Sequence, residues 1–325
     1  MRKILLSVVL LLMSEANLAA QTKFLHSHSG TSSTQGAVWA AKDLGLFDKY
    51  GLSVDLVFIP GGARGMQALL GGSTQAADSD GVAPINVIQR GGDAVIVAGL
   101  NNQHLFKFIV QKEIREPADL RGKKIGVANF GGSNEFASVI ALKKWNIPKE
   151  AVTLVAVGGS AVRLAAMEKH SLDATVLPYD NALAASRLGM RVLADIPDLI
   201  KSFPDKVITV RRSYLEKERD TVKRYIQALS EGIYQFRTNR EKGMAILARR
   251  LQIKDPKIVE ENYQIYSHVF PFPPRVEKEG MRDLLEQMQL QKTSGKPESE
   301  LARFLDESVI DELEREGFYR KFGAK

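Results

Sequence analysis

In Ile125-Gly126-Val127-Ala128-Asn129-Phe130-Gly131-Gly132-Ser133-Asn134, a short apolar run passes into a loop of glycine, serine and asparagine. A helical pattern through Phe136, Val139, Ile140 and Leu142 follows. Bounded apolar runs read as buried strands, and apolar positions three and four apart read as the inner face of a helix. The same succession stands earlier in the chain. Lys23 to Gly30 reads as a strand, Ser29-Gly30-Thr31-Ser32-Ser33 as the loop, and Val38, Trp39, Ala41 and Leu44 as the helix face. Gly30 falls on Gly131 at an offset of 101 residues.

The repeat extends further. Val54 to Ile59 ends at Gly61-Gly62 and enters a helix through Met66, Leu69 and Leu70, while Leu154 to Val157 ends at Gly158-Gly159 and enters one through Leu164, Ala165 and Met167. Here the offset is 97, so the first copy carries four extra residues. Gln75 to Ser79 and Leu172 to Leu177 close the two copies as short strands. Strand, helix, strand, helix, strand implies a parallel sheet with right-handed crossovers in each copy, and hence an α/β protein of two lobes. In open α/β sheets the ligand crevice lies beyond the carboxyl ends of the strands. Those ends hold the small and polar residues in both copies. They read either as ordinary turns or as ligand-gripping tips, and recurrence at matching places favours the tips.

From Lys206 onward the pattern reads as a helical tail. Val222, Ile226, Leu229, Ile233 and Phe236 make one apolar stripe. Asp255-Pro256 caps and starts the next helix, through Ile258, Val259, Tyr263 and Tyr266. Pro297 marks a loop before a last helix near Phe304 to Leu313. The tail is expected to pack mostly on the first lobe.

At the other end, Met1-Arg2-Lys3, an apolar run from Ile4 to Met13 broken only by Ser7, and small residues through Ala20 have the layout of a secretory signal peptide, residues 1–20. Ten helical residues span about 15 Å, half of a ~30 Å hydrocarbon core, which argues against a permanent anchor. The rest is long enough for about two domains. No cysteine occurs, which excludes disulfides, thiolate metal sites and cysteine nucleophiles. A net charge of +7 over the whole chain is scattered, with no basic stretch interleaved with aromatics, so no nucleic acid is expected as a partner.

Trp39-Ala40-Ala41-Lys42-Asp43-Leu44-Gly45-Leu46-Phe47, Asp48-Lys49-Tyr50-Gly51-Leu52 and Ile59-Pro60-Gly61-Gly62 belong to this frame. With them, Pro117-Ala118-Asp119-Leu120-Arg121-Gly122-Lys123-Lys124-Ile125-Gly126-Val127 and Leu172-Asp173-Ala174-Thr175-Val176 resemble the substrate-binding proteins of nitrate, sulfonate and taurine ABC transporters. That group includes receptors for thiamine-pyrimidine precursors. The resemblance implies a type II periplasmic-binding fold, with residues 21–103 and 205–325 as lobe 1 and 104–204 as lobe 2. The crossings would lie near Gly99 to His104 and Lys201 to Lys206. It also implies a periplasmic monomer serving a membrane permease and its ATPase, reaching the membrane only through that permease, with no cofactor.

Loops that open helices offer unpaired N–H groups and a partial positive charge. Thr31, Ser32 and Ser33 from one lobe and Gly132, Ser133 and Asn134 from the other are therefore expected to hold an anionic or accepting group. Ser29 and Asn129 begin the same loops, and Gly62 permits close approach. Asp78 or Asp80, and Asp180, end the third strands and face the same crevice, which favours a zwitterionic guest over a plain anion; their other reading is as caps of local turns. Gln35 adjoins the first loop, and Trp39, Phe130 and Tyr179 would form a flat wall, with the core as the alternative for Trp39. His26 and His28, two apart on a strand, read as a metal pair or as hydrogen-bonded sheet residues.

Two other uses of such a fold compete. A pyrimidine-synthase-like enzyme would need a cysteine-rich active segment, which is absent, and no nucleophile elbow, phosphate-cradling Gly-Lys motif or zincin pattern occurs. A free-standing ligand sensor would use the same cleft. In either binding role, the lobes close on a guest that both must touch.

Overall fold

The first copy of the repeat folds as β1 (Thr22–His28), α1 (Gly36–Asp43), α2 (Leu46–Lys49), β2 (Leu52–Phe58), α3 (Gly62–Leu70), β3 (Ala76–Ser79), α4 (Val82–Gln89) and β4 (Val95–Asn101). The second gives β5 (Phe106–Val110), β6 (Lys124–Val127), α5 (Ser133–Lys144), β7 (Thr153–Ala156), α6 (Ser160–Glu168), β8 (Ala174–Pro178), α7 (Tyr179–Arg187), β9 (Arg191–Asp195) and α8 (Ile196–Leu199). The chain then returns through β10 (Lys206–Val210) and α9 (Arg212–Lys217). The remaining helices are α10 (Arg219–Thr238), α11 (Arg240–Leu251), α12 (Pro256–Val269), α13 (Lys278–Gln287), α14 (Pro297–Phe304) and α15 (Ser308–Arg315). This computed structural model describes residues 21–200, 202–288 and 297–323; the leader expected at residues 1–20 lies outside the described residues.

Two five-stranded sheets result, ordered β2-β1-β3-β10-β4 and β7-β6-β8-β5-β9. The three repeat strands run parallel in each, with β1 on β2 in register from Thr22↔Leu52 to His28↔Phe58. The repeat strands are thus parallel as expected, and each sheet gains a strand that the repeat did not include: β10 and β5 each run against both their neighbours. The cause is connectivity. Parallel strands end at the crevice, so a strand that arrives there from the other sheet must run away from it.

The crossings are the segments between Asn101 and Phe106 and between Leu199 and Lys206. His104 of the first pairs with Asp205 of the second, both buried, while Asn101 Nδ2 donates to the other oxygen of Asp205 at 3.1 Å. The His104 ring stacks on Phe106 (centroids 4.3 Å apart) and leans on Phe203 at 4.6 Å. The two connecting strands are thereby fastened into one hinge.

Among the described residues the apolar side chains form four clusters, the smallest made by Met66, Leu69, Ala77 and Ala83. The α10 stripe of Val222, Ile226, Leu229, Ile233 and Phe236 is fully buried against β1, β2 and α1. Each such side chain contributes about 1.5–3 kcal/mol of burial. Ile109, Met167, Leu172 and Leu177 centre a smaller core on the far face of the second sheet. The third core departs from a tail packed on one lobe. Met281 and Leu284 of α13 join Val82 and Ile85 of α4, and also Phe108, Ala137 and Ala141 of the second lobe. One apolar cluster therefore runs through the hinge.

The tail is also not purely helical, since its first five residues, Lys206–Val210, are the buried strand β10. A run that short has no period that separates strand from helix. The last helix expected from Phe304 to Leu313 is two, α14 and α15, parted at Leu305–Glu307, and Pro297 begins α14 rather than preceding it in a loop.

Candidate ligand-binding cleft

Both sheets point their carboxyl ends at one hollow. Ser29, Gly30, Ser32 and Thr34 reach it after β1, Gly61 and Gly62 after β2, and Asp80 after β3. Facing them are Asn129, Gly132, Ser133 and Asn134 after β6, and Gly159, Ser160 and Arg163 after β7, with Phe106, Asp205 and Lys206 at the hinge. The space between them is about 60 Å³. The lobes therefore lie nearly closed.

The floor of the first lobe is a buried charge network. Asp78, 1% exposed, accepts from Ser29 N (3.2 Å), Gln35 Nε2 (3.3 Å) and Lys206 Nζ (3.4 Å), and His26 Nε2 lies 3.5 Å from its second oxygen. Burial pushes this carboxyl up, but the Lys206 ammonium and then His26 outweigh it and hold Asp78 well below the ordinary range. His26 Nδ1 in turn meets the Tyr225 hydroxyl at 2.6 Å, and His28 Nδ1 meets Gly30 O at 2.9 Å. Both histidines of the pair are thus engaged within the sheet and its loop.

Across the cleft, Arg163 is 1% exposed and spends its N–H groups on neutral acceptors. Nε donates to Thr175 Oγ1 (3.0 Å), Nη1 to Gly158 O (2.8 Å), and Nη2 to Val176 O (3.1 Å) and Ser160 Oγ (3.4 Å). Among the described residues no carboxylate forms an ion pair with it, and burial alone pushes its guanidinium down to about 10. A buried charge without a counter-charge is costly. It leaves this wall of the cleft positive.

The lobes touch at polar points. Ser33 N donates to Asp180 Oδ2 at 2.9 Å, Asn129 Nδ2 to Pro60 O at 3.2 Å, and Asn86 Nδ2 to Gly131 O at 3.3 Å. Gly61, at φ +84°, makes the approach feasible: a Cβ there would stand 1.8 Å from Asn129 Nδ2. Burial raises both Asp80 and Asp180. The Ala83 and Ser133 amides oppose it at Asp80, and the Ser33 and Asn181 amides at Asp180.

Of the residues singled out in the sequence, Ser29, Ser32, Gly62, Asp80, Asn129, Gly132, Ser133 and Asn134 line the hollow. The others do not. Thr31 is exposed outside it, and Gln35 is fully buried beneath it, bonded to Asp78. Trp39, 3% exposed, belongs to the α1 core, because its helix turns that face toward α10. Phe130 is 54% exposed and away from the lining. Tyr179 packs against the first lobe's core beneath Lys107, and its neighbour Asp180 is spent on Ser33. The ring that does face the hollow is Phe106. Arg163, Lys206 and Asp205 were missed. Arg163 sits in a helix legible only by its apolar positions, and the other two fall at a crossing whose partner strands are remote in sequence.

Two α/β lobes, joined by two crossings around such a hollow, define the type II periplasmic-binding-protein fold. Solved structures of that fold match nearly end to end. The alkanesulfonate-binding protein SsuA from Xanthomonas axonopodis pv. citri, bound to MOPS, superposes with a TM-score of 0.70 at 19% identity, covering 90% of this chain and 98% of that one. The periplasmic nitrate-binding protein NrtA from Synechocystis PCC 6803 gives 0.69 at 14% identity, covering 90% and 88%. In sequence, a Brucella abortus protein named as a candidate binding protein is 29% identical over 251 residues, 75% of each chain. The chain belongs to the NMT1/THI5-like family, whose profile matches residues 33–242.

Proposed function

We propose that this protein is the exported, ligand-capturing component of an ABC importer: it closes on a small anionic or zwitterionic organic molecule and presents it to a membrane permease driven by an ATPase. The observation that carries this reading is the hollow itself, built from matching loops of two sheets that only two crossings join, so that a guest touched by both lobes favours their closure. The names of the structural relatives, which bind sulfonate and nitrate, support it. So does the uncompensated Arg163 on one wall, with Lys206 at the floor. In this reading lobe 1 comprises residues 21–103 and 205–325 and lobe 2 residues 104–204. The chain works as a monomer in the periplasm after loss of residues 1–20, and it does no chemistry on its guest.

A thermal-shift panel of nitrate, methanesulfonate, taurine, an aminopyrimidine and aromatic acids tests it, followed by small-angle scattering with whichever compound shifts the melt. Compaction on binding is expected, with the compound recovered unchanged. Turnover of the bound compound, or binding without any change in scattering, overturns the proposal.

A further inference from the structure

Helix starts reach the hollow after β1, β2, β6 and β7, and their surroundings differ in charge. Ser33, which opens the helical stretch after β1, gives its N–H to Asp180 Oδ2 at 2.9 Å. Asp80 Oδ2 stands beside the next two: a Cβ on Gly62, at the start of α3, would lie 2.9 Å from it, and one on Gly132, just before α5, 3.8 Å. A carboxylate in each of these places disfavours a second acid. The start of α6 differs. Arg163, one turn into that helix and almost wholly buried, borders the hollow and donates to Ser160 Oγ at 3.4 Å. Its bonds to Thr175, Gly158, Val176 and Ser160 use every N–H of the guanidinium but one, on Nη1, and none of these acceptors is a carboxylate.

We infer that the guest's acidic group seats at the start of α6, on Ser160 with Arg163 as its counter-charge, while a donor at the guest's other end meets Asp80 Oδ2. This rests on the importer reading and narrows it: the guest is a compact carboxylate or sulfonate that also carries an amine, amide or hydroxyl, rather than a bare oxyanion. A buried guanidinium without a counter-charge is costly, and an acid placed here removes that cost. The donors are in position. Ser160 N and Ala161 N, the first amides of α6, have no backbone acceptor among the described residues. The Ser160 hydroxyl accepts from Arg163, which leaves its own hydrogen to be given to the guest. On the facing wall, Ala83 N holds Asp80 Oδ1 at 3.1 Å, and glycine at 62 and 132 leaves room around Oδ2 that a side chain would fill. The sequence pointed the acid at the loops after β1 and β6. The carboxylates that come to rest there move it to the loop after β7.

Matched compounds test the two ends separately. Taurine and ethanesulfonate differ only in the amine, as do β-alanine and propionate, and calorimetric titration ranks each pair. The member with the amine should bind about tenfold tighter or more. Asp80→Asn should erase that gap. Ser160→Ala should weaken both members of a pair alike, by about three- to tenfold, and leave the gap in place. A gap that survives Asp80→Asn, or affinities that Ser160→Ala does not change, overturn the inference. Arg163 is bonded into β8, so its replacement risks the fold, and the unsubstituted protein is read instead. On titration with ethanesulfonate the amide signals of Ser160 and Ala161 should shift in nuclear magnetic resonance, and those of Ser33 and Ser133 should not. The reverse pattern, or no response to any of these acids in either measurement, overturns the seat at α6. Binding of neutral or cationic compounds alone also overturns it and leaves the importer reading standing, since that reading falls on turnover of the guest or on unchanged scattering.

Discussion

Lys206→Met removes the one ammonium that neutralises Asp78, and the cost follows from the geometry. Nζ lies 3.4 Å from Asp78 Oδ1, with both side chains buried. At an effective dielectric of about 20 the attraction at that distance is roughly 5 kcal/mol, and breaking a buried pair by deleting one partner costs about 3–5 kcal/mol. His26, 3.5 Å away on the other oxygen, recovers part of the loss, so a destabilisation of about 3 kcal/mol is expected. Urea unfolding at 25 °C, followed by fluorescence and circular dichroism together, measures it. The double variant Lys206→Met with Asp78→Asn should regain most of the stability, because the orphaned charge is then gone. A loss under about 1 kcal/mol, or a double variant no more stable than the single one, would refute the view that the floor of the first lobe depends on charge compensation.

Burial raises Asp80 and Asp180 above the ordinary carboxyl value of 3.8, so the folded chain binds more protons than the unfolded one just above that value. Stability should therefore fall as pH rises through the raised values, and Asp80→Asn should melt higher than the unsubstituted protein at neutral pH, an advantage that vanishes below the ordinary carboxyl range; an advantage independent of pH contradicts this. Gly232→Ala places a Cβ 2.8 Å from Ala41 N and 2.9 Å from Ala37 O, where α10 crosses α1, and should cost about 1–3 kcal/mol in chemical unfolding. Leu229→Ala, at a fully buried position of the same stripe, should cost about 2–5 kcal/mol in chemical unfolding. Gly61→Ala should leave the lobes folded but widen the cleft in scattering, since its methyl would collide with Asn129.

The repeat could be seen before any coordinates because strand, loop and helix patterns are local: Ile125–Asn134 and Lys23–Ser33 each carry their own period and their own glycine. The α10 stripe was legible for the same reason. From these followed two lobes, a shared crevice and eight of the residues that line it. Side-chain destinations were not legible. Trp39 and Phe130 look alike as aromatic neighbours of polar loops, yet one is core and the other half solvent-facing, because α1 turns Trp39 against α10 while Phe130 stays on a loop, 54% exposed. The antiparallel β5 and β10, the cluster that binds α13 to both lobes, and the meeting of Lys206 with Asp78 join residues far apart in the chain. So does the reach of Asp180 to Ser33 in the opposite lobe. Periodicity records which face of an element is apolar; only the packed structure records what that face, or the carboxylate at its end, comes to rest against.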